Sequence, residues 1–181
     1  MECLIMSTKI AFLLNSHFEQ SEYEEVDRLL KDKGHETVLI TTNDTKQVQG
    51  MKGDVDKADT FTADLFLSEA NAEDYAAVVL PGGTVNADTI RVDKAAQNFV
   101  KSFYDNNKIV AAICHAPWLL INSGLVKGKS LTAYHTLQTD IENAGGTFVD
   151  KQVQKEGNLI TSRNPDDIEA FATAIDQALK H

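Results

Sequence analysis

Short runs of nearly unbroken apolar residues, each followed by a stretch with helical periodicity, recur along this chain and leave few folds open to it. Lys9–Leu14, 37–41, 75–80, Ile109–Ile113 and 130–133 are too apolar to keep one face in water, so strands made from them must be covered on both sides. Between them lie amphipathic segments. In 22–33, Tyr23, Val26, Leu29 and Leu30 share a face and Gly34 follows its end. A helix capped by Asp93 turns Ala96, Phe99, Val100 and Phe103 inward. Helices are also expected over 115–123 and 137–144, and a short strand over 147–149. Residues 45–62 read as a hairpin excursion, and 152–155 with Leu159–Ser162 as a second hairpin about Glu156-Gly157-Asn158. Asn164-Pro165-Asp166-Asp167 starts the last helix, which buries Ile168, Phe171, Ala172, Ile175 and Leu179. The expected architecture is an α/β three-layer sandwich, a mostly parallel sheet with helices on both faces, formed by a single domain over 1–181.

In such sheets ligands gather at the carboxyl ends of the strands, which here means residues 15–22, 81–88 and 113–118. Charge narrows what those ligands can be. Seventeen basic against 27 acidic side chains give −10, a balance with no footprint for nucleic acid or anionic lipid. Two cysteines, Cys3 and Cys114, make no disulfide framework, and the apolar opening 1–6 lacks the length and basic start of a signal peptide. A cytoplasmic protein without a membrane span is expected. The five histidines show no paired ligand spacing, so no metal site is expected. Residues 124–130 resemble a phosphate-binding loop but are one residue short and follow a helix rather than a strand.

The most chemically loaded of the three loops is Ile113-Cys114-His115-Ala116-Pro117, where a buried strand must turn sharply into a helix. Small Ala112 and Ala116 flank the thiol and Pro117 presets the first helical turn, the layout of a nucleophile elbow with cysteine at its apex. Amides of the following helix are expected to lower the Cys114 pKa and make it nucleophilic. A buried cysteine acting only as a small hydrophobe is the plainer alternative.

Gly82 and Gly83, after another strand of the same sheet, can present bare N–H groups to an oxyanion, with the His115 amide as second donor; a simple tight turn accounts for the same residues. Glu19 sits where the first helix starts and could share a proton with the thiol, although acids are ordinary in a first turn. Glu22 and Glu24 read still more plainly as helix-start acids. His115 adjoins the nucleophile, and Asp88 is the best-placed acid to orient it, or else a solvated loop carboxylate. Tyr134, His135 and His17 read as rim residues.

Together these loops resemble the PfpI family (intracellular protease I, ThiJ/PfpI superfamily), whose fold is flavodoxin-like, of the class I glutamine-amidotransferase type. The matching pieces are Phe18-Glu19-Gln20-Ser21-Glu22, the stretch from Pro81-Gly82-Gly83 through Asp88 to Arg91, Ala111 through Cys114-His115 to Leu120, and Thr161-Ser162-Arg163-Asn164-Pro165-Asp166-Asp167. The resemblance implies Cys114 as nucleophile, Glu19 as its carboxyl partner, His115 as catalytic histidine and Asp88 as a third acid acting across a subunit boundary. It further implies Gly83 and His115 as oxyanion donors, and Gly82, His17, Trp118, Tyr134 and His135 around the substrate. Ala116 for glycine, His17 before Phe18-Glu19, and Tyr134-His135 for an aromatic–proline pair depart from the family pattern. What it implies about activity is a cofactor-independent cysteine enzyme protecting against stress by acting on reactive carbonyls such as methylglyoxal, or on glycation adducts. Two alternatives stand beside it, an intracellular cysteine peptidase and a redox-sensing or chaperone-like stress protein. A homodimer, or a hexamer built from dimers, is the expected assembly.

Overall fold

The computed structural model describes residues 9–180; Cys3, the apolar opening and His181 lie outside the described residues. Its centre is a seven-stranded sheet in the order β11-β12-β8-β7-β1-β3-β6. The strands are β1 (Lys9–Leu14), β3 (Glu36–Thr41), β6 (Leu65–Phe66), β7 (Ala77–Leu80), β8 (Ile109–Ile113), β11 (Gln154–Glu156) and β12 (Leu159–Ser162). All pair in parallel except the edge hairpin β11–β12.

Alternate side chains of each strand feed two cores, as a doubly covered sheet requires. On one face Ile10, Phe12, Leu14, Val79, Ala111, Ile113 and Ile160 pack against α1 (Gln20–Asp32) and α6 (Ile168–Leu179). On the other, Ala11, Leu13, Val78, Leu80, Val110 and Ala112 meet Phe99, Val100 and Phe103 of α3 (Lys94–Asp105) and Leu119 and Leu120 of α4 (Pro117–Asn122). Phe12, Phe18, Phe103 and Phe171 are among the largest side chains sealed completely, and Asp93 caps α3 by accepting from the Ala96 amide. The anticipated α/β sandwich is the observed one.

Three local readings differ. The stretch 130–133 does not join the central sheet. It forms β9 (Ser130–Leu131), which pairs in parallel with β10 (Thr147–Phe148) in a small sheet flanking α5 (Gln138–Asn143). Residues after Pro81-Gly82-Gly83 are not an open loop but a helix, α2 (Thr84–Ile90). The hairpin formed by β4 (Gln47–Lys52) and β5 (Asp56–Thr62) is present, yet it is no mere excursion. It pairs through β4 with β2 (Phe18–Glu19), which brings its Gly53-Asp54-Val55 tip back over the carboxyl ends of the central strands. No helix among the described residues is long and apolar enough to cross a membrane.

A buried hydrogen-bonded cluster ties α6 to the turn that follows α1 on the first face. His35 Nε2 lies 2.7 Å from Asp176 Oδ1, with the two side chains 8% and 4% exposed, and Lys180 Nζ reaches the other oxygen at 2.9 Å. Burial by itself would raise the Asp176 carboxyl, but hydrogen bonds from Lys180 and His35 outweigh it and hold the group below its ordinary value. A carboxyl with a depressed folded-state pKa adds stability that is complete above its unfolded value of about 3.9 and is lost as pH falls through the folded one. Asp176→Asn should therefore lower the melting temperature by several degrees near neutral pH, for a loss of about 1–3 kcal/mol. The difference from the unsubstituted protein should shrink below about pH 3, and thermal melts at the two pH values check both signs.

Candidate active site

Cys114 occupies the apex of the turn between β8 and α4 with φ +65°, a left-handed conformation costly for a residue with a Cβ. It is held there from both sides. Its amide donates to the Ser162 carbonyl at 3.0 Å and its carbonyl accepts from the Tyr134 amide at 2.8 Å. The turn thereby points the sulfur away from the strand, toward Gly83 and the first helix. Its surroundings overturn the expectation of a lowered pKa. At 7% exposure the thiol is pushed up, first by burial and then by the Glu22 carboxyl; the amides of His115 and Gly83, both aimed at the sulfur, pull it down by less. α4 spans only Pro117–Asn122, and the amides that act on the thiol come from His115 and Gly83 instead.

The carboxyl beside that sulfur belongs to Glu22, not Glu19. Glu22 is fully buried on the inner side of α1, in line with Val26 and Leu30. One oxygen accepts from the Gly82 amide at 2.8 Å, while Oε2 has no nitrogen or oxygen partner and the carboxyl lies against the Cys114 thiol. Burial raises it well above the ordinary glutamate range, the Gly82 amide lowers it by less, and the Glu19 charge raises it further. Two such groups in one buried contact cannot both be charged, so Glu22 must be neutral for the sulfur to ionise. Glu19 is only half-buried, and its carboxylate turns outward to accept from the Gly53 amide at 3.0 Å. Burial also raises its pKa, opposed by the Gly53 amide. The cause of the exchange is helical: a residue just before α1 faces the pocket mouth, whereas the position four before Val26 faces the core.

His115 does fold back onto the Cys114 thiol, with Nδ1 3.2 Å from Sγ. Its ring stacks on Tyr134 at 4.7 Å and meets the Trp118 edge at 5.2 Å. Burial lowers its pKa, opposed by the charge of Asp54. Within one chain Asp88 does not reach this imidazole. It lies on the exposed side of α2 and does not line the pocket, because Asn86 and Ala87 take the inward positions of that short helix. Asn86 instead fixes the loop, donating to the Pro81 and Gly82 carbonyls and accepting from the Asn15 amide.

The sulfur opens into a pocket of about 320 Å³ lined by Glu19, Glu22, Gly53, Asp54, Gly83, Thr84, Cys114, His115, Tyr134, Thr136 and Pro165. His17, Trp118 and His135 are not part of its lining. His17 is exposed, with its carbonyl rather than its ring turned to Gly83. Trp118 donates to Asp140 and stacks under Arg91, and exposed His135 packs on the far partner Tyr134. Gly82 serves by having no side chain: a Cβ there would lie 2.6 Å from Glu22 Oε1 and 2.9 Å from the Cys114 Cβ. Asp54, Thr84 and Glu22 are the residues that reading the sequence missed. For Glu22 there was a signal, a carboxyl on the otherwise apolar stripe with Val26 and Leu30. For Asp54 and Thr84 there was none, since only the return of the β4–β5 hairpin makes them neighbours. Among the described residues no group of three or more His, Cys, Asp or Glu side chains could hold a metal ion.

What this arrangement can do is present a thiol, a buried carboxyl group of raised pKa, an imidazole and two amide donors to one small molecule. Similar proteins carry the names of a stress protein, a protease and a deglycase. The chain is 40% identical over 167 residues to general stress protein 18 of Bacillus subtilis, covering 92% of this chain and 94% of that one. It is 39% identical over 166 residues to the Bacillus subtilis protein YraA, provisionally named a cysteine protease, at 92% and 95% coverage. It is 37% identical over 167 residues to protein/nucleic acid deglycase 2 of Escherichia coli, at 92% and 94% coverage. Among solved structures, a two-domain protein of Anabaena variabilis with DJ-1/ThiJ/PfpI-like and ferritin-like domains superposes with a TM-score of 0.89 at 34% identity. That match covers 97% of this chain and about half, 49%, of the two-domain chain. The model of the DJ-1/PfpI family matches residues 8–178, nearly the whole length, and the protein belongs to the DJ-1/PfpI family.

Proposed function

We propose that this protein is a cofactor-independent cysteine enzyme that converts small reactive dicarbonyls, methylglyoxal foremost, to hydroxy acids, and releases related adducts from glycated amino groups. The observation that carries this reading is the placement of Cys114 against Glu22 and His115 in a pocket of only about 320 Å³. That volume is at the small end for ligand sites, suited to a three-carbon substrate rather than to an extended peptide. The names of the stress-protein and deglycase relatives agree with it.

The chemistry needs only groups present in the pocket. Sulfur attacks the aldehyde carbon as its proton passes to His115, and the carbonyl oxygen, facing the Gly83 and His115 amides, takes the proton of Glu22. The product is a hemithioacetal. The Glu22 carboxylate then removes the hydrogen on that carbon while the imidazolium protonates the neighbouring ketone oxygen, giving an enediol. Return of the carbon proton from Glu22 to the second carbon, and of the hydroxyl proton to His115, leaves a thioester of lactate. Water attacks it, losing its proton to Glu22 as the sulfur leaves with the proton of His115. A buried glutamate with a raised pKa suits this exchange at neutral pH, where an ordinary one would be a spent base.

Purified protein given methylglyoxal, a glycated amino acid and denatured casein in parallel should form lactate, release the free amino acid, and leave casein intact. Cleaved casein with no lactate above the buffer rate would transfer the reading to the peptidase alternative.

A further inference from the structure

The tip of the β4–β5 hairpin brings an acid to the far side of the catalytic imidazole that neither the reaction above nor the sequence motifs use. Asp54 stands in a left-handed turn with φ +68°, after Gly53 at φ +67°, a conformation that aspartate tolerates better than most residues. Its Oδ1 accepts from the Thr84 amide at 2.9 Å and its Oδ2 from the Thr84 hydroxyl at 2.6 Å. Thr84 Oγ1 in turn lies 3.5 Å from His115 Nε2, and His115 Nδ1 lies 3.2 Å from the Cys114 sulfur.

The direction of each bond follows from proton counting. A hydroxyl has one hydrogen, and a carboxylate can only accept, so the Thr84 hydrogen is spent on Asp54. What Thr84 then turns to the imidazole is a lone pair, which matches a ring that carries its proton on Nε2. A neutral imidazole with Nε2–H has a bare Nδ1. That bare nitrogen faces the sulfur.

We propose that Asp54 and Thr84 are positioning residues that fix His115 in the Nε2–H tautomer, so that Nδ1 stands ready to take the Cys114 proton. The hairpin tip thus completes the reaction centre from within one chain, on the side where Asp88 does not reach. The proposal deepens the reaction given above and rests on it for the effect on turnover, but the tautomer itself can be read without any substrate.

Long-range ¹⁵N–¹H correlation spectra of the labelled full chain report which ring nitrogen of His115 carries the proton, with His115→Gln giving the assignment. The expected wild-type pattern is Nε2–H. In Thr84→Val, which keeps the side-chain shape without the hydroxyl, the pattern should move toward a tautomer mixture. Alkylation of Cys114 by iodoacetamide, followed by peptide mass so that Cys3 is counted separately, should slow about tenfold in Thr84→Val and in Asp54→Asn. Methylglyoxal kcat should fall by a similar factor with KM changed less than about twofold, and Thr84→Ser should restore both rates to within about threefold. A wild-type spectrum with the proton on Nδ1 would overturn the proposal whether or not any variant folds. So would unchanged alkylation in both folded variants. Absent lactate formation with the Nε2–H pattern and the alkylation slowing intact would instead remove the dicarbonyl reading and leave the positioning role standing.

Discussion

Cys114→Ala will reduce lactate formation from methylglyoxal to the buffer rate, and Glu22→Gln will lower kcat by about 10²–10³-fold, while Glu19→Gln stays within about fivefold of the unsubstituted enzyme. In the proposed reaction the first loss follows from removing the atom that forms the covalent bond. The second separates two glutamates three positions apart. Gln at 22 keeps the size of the side chain and can still accept from the Gly82 amide, but it cannot give a proton to an oxyanion or take one from carbon. Glu19 has its carboxylate on the Gly53 amide at the mouth of the pocket, and its loss there removes a charge near Glu22 without removing a reacting group. The pH profile adds a sign. His115 must be neutral to act as base, and burial lowers its pKa, so the acid limb should lie below about 6.5. Glu22 must hold its proton at the start, and burial raises its pKa, so the alkaline limb extends beyond the range of an ordinary glutamate. In Glu22→Gln that alkaline limb should vanish from the residual activity. Equal losses in Glu19→Gln and Glu22→Gln would show that the proton shuttle is not where the burial of Glu22 places it.

Gly83→Ala will cost more stability than any single change at the pocket surface, about 3–5 kcal/mol, seen as a fall of about 6–20 °C in the melting temperature. Two penalties combine there. With φ +89° the position is strained for any residue with a Cβ, and the added carbon would lie 2.6 Å from the Glu19 amide nitrogen and 2.8 Å from the His17 carbonyl oxygen. Both neighbours are backbone, so neither can rotate away. Gly34→Ala isolates the first penalty, since φ is +92° there with nothing within 4 Å of the new carbon. It should cost only about 1–2 kcal/mol. If the two alanine variants melt at the same temperature, close packing of Gly83 against the first loop contributes nothing.

Much of the fold could be read before any coordinates. The solid-apolar strands required cover on both faces, and the amphipathic stripe 96–103 and the Asn164-Pro165 helix start lie where they were placed. Those signals are local. Apolar periodicity, caps and turn residues act within a few positions, so they are legible wherever they occur. The elbow at Cys114 belongs with them, because a buried strand, two alanines and a proline force the sharp turn that lifts a thiol out of the sheet. The strand at 130–133 lies outside the central sheet for the converse reason. Its pattern shows that it is buried, but not which sheet buries it.

The chemistry around the thiol was settled elsewhere. The family resemblance implied Glu19 as the partner and Asp88 as a third acid, yet the Glu19 carboxylate turns to the Gly53 amide at the pocket mouth, and Asp88 faces outward from α2. Glu22 replaces the first because the helix that buries Val26 and Leu30 must bury the residue one turn earlier, whatever its polarity. Asp54 approaches His115 because β4 pairs with β2 and carries the hairpin tip across the strand ends. From the sequence alone came the sheet, its covering and the turn that places Cys114 at the end of β8, all consequences of short-range pattern. Which carboxyl lies against the thiol, the direction in which burial moves that thiol, and which acid faces the histidine were decided only by tertiary structure, since each depends on desolvation and contacts between residues far apart in the chain.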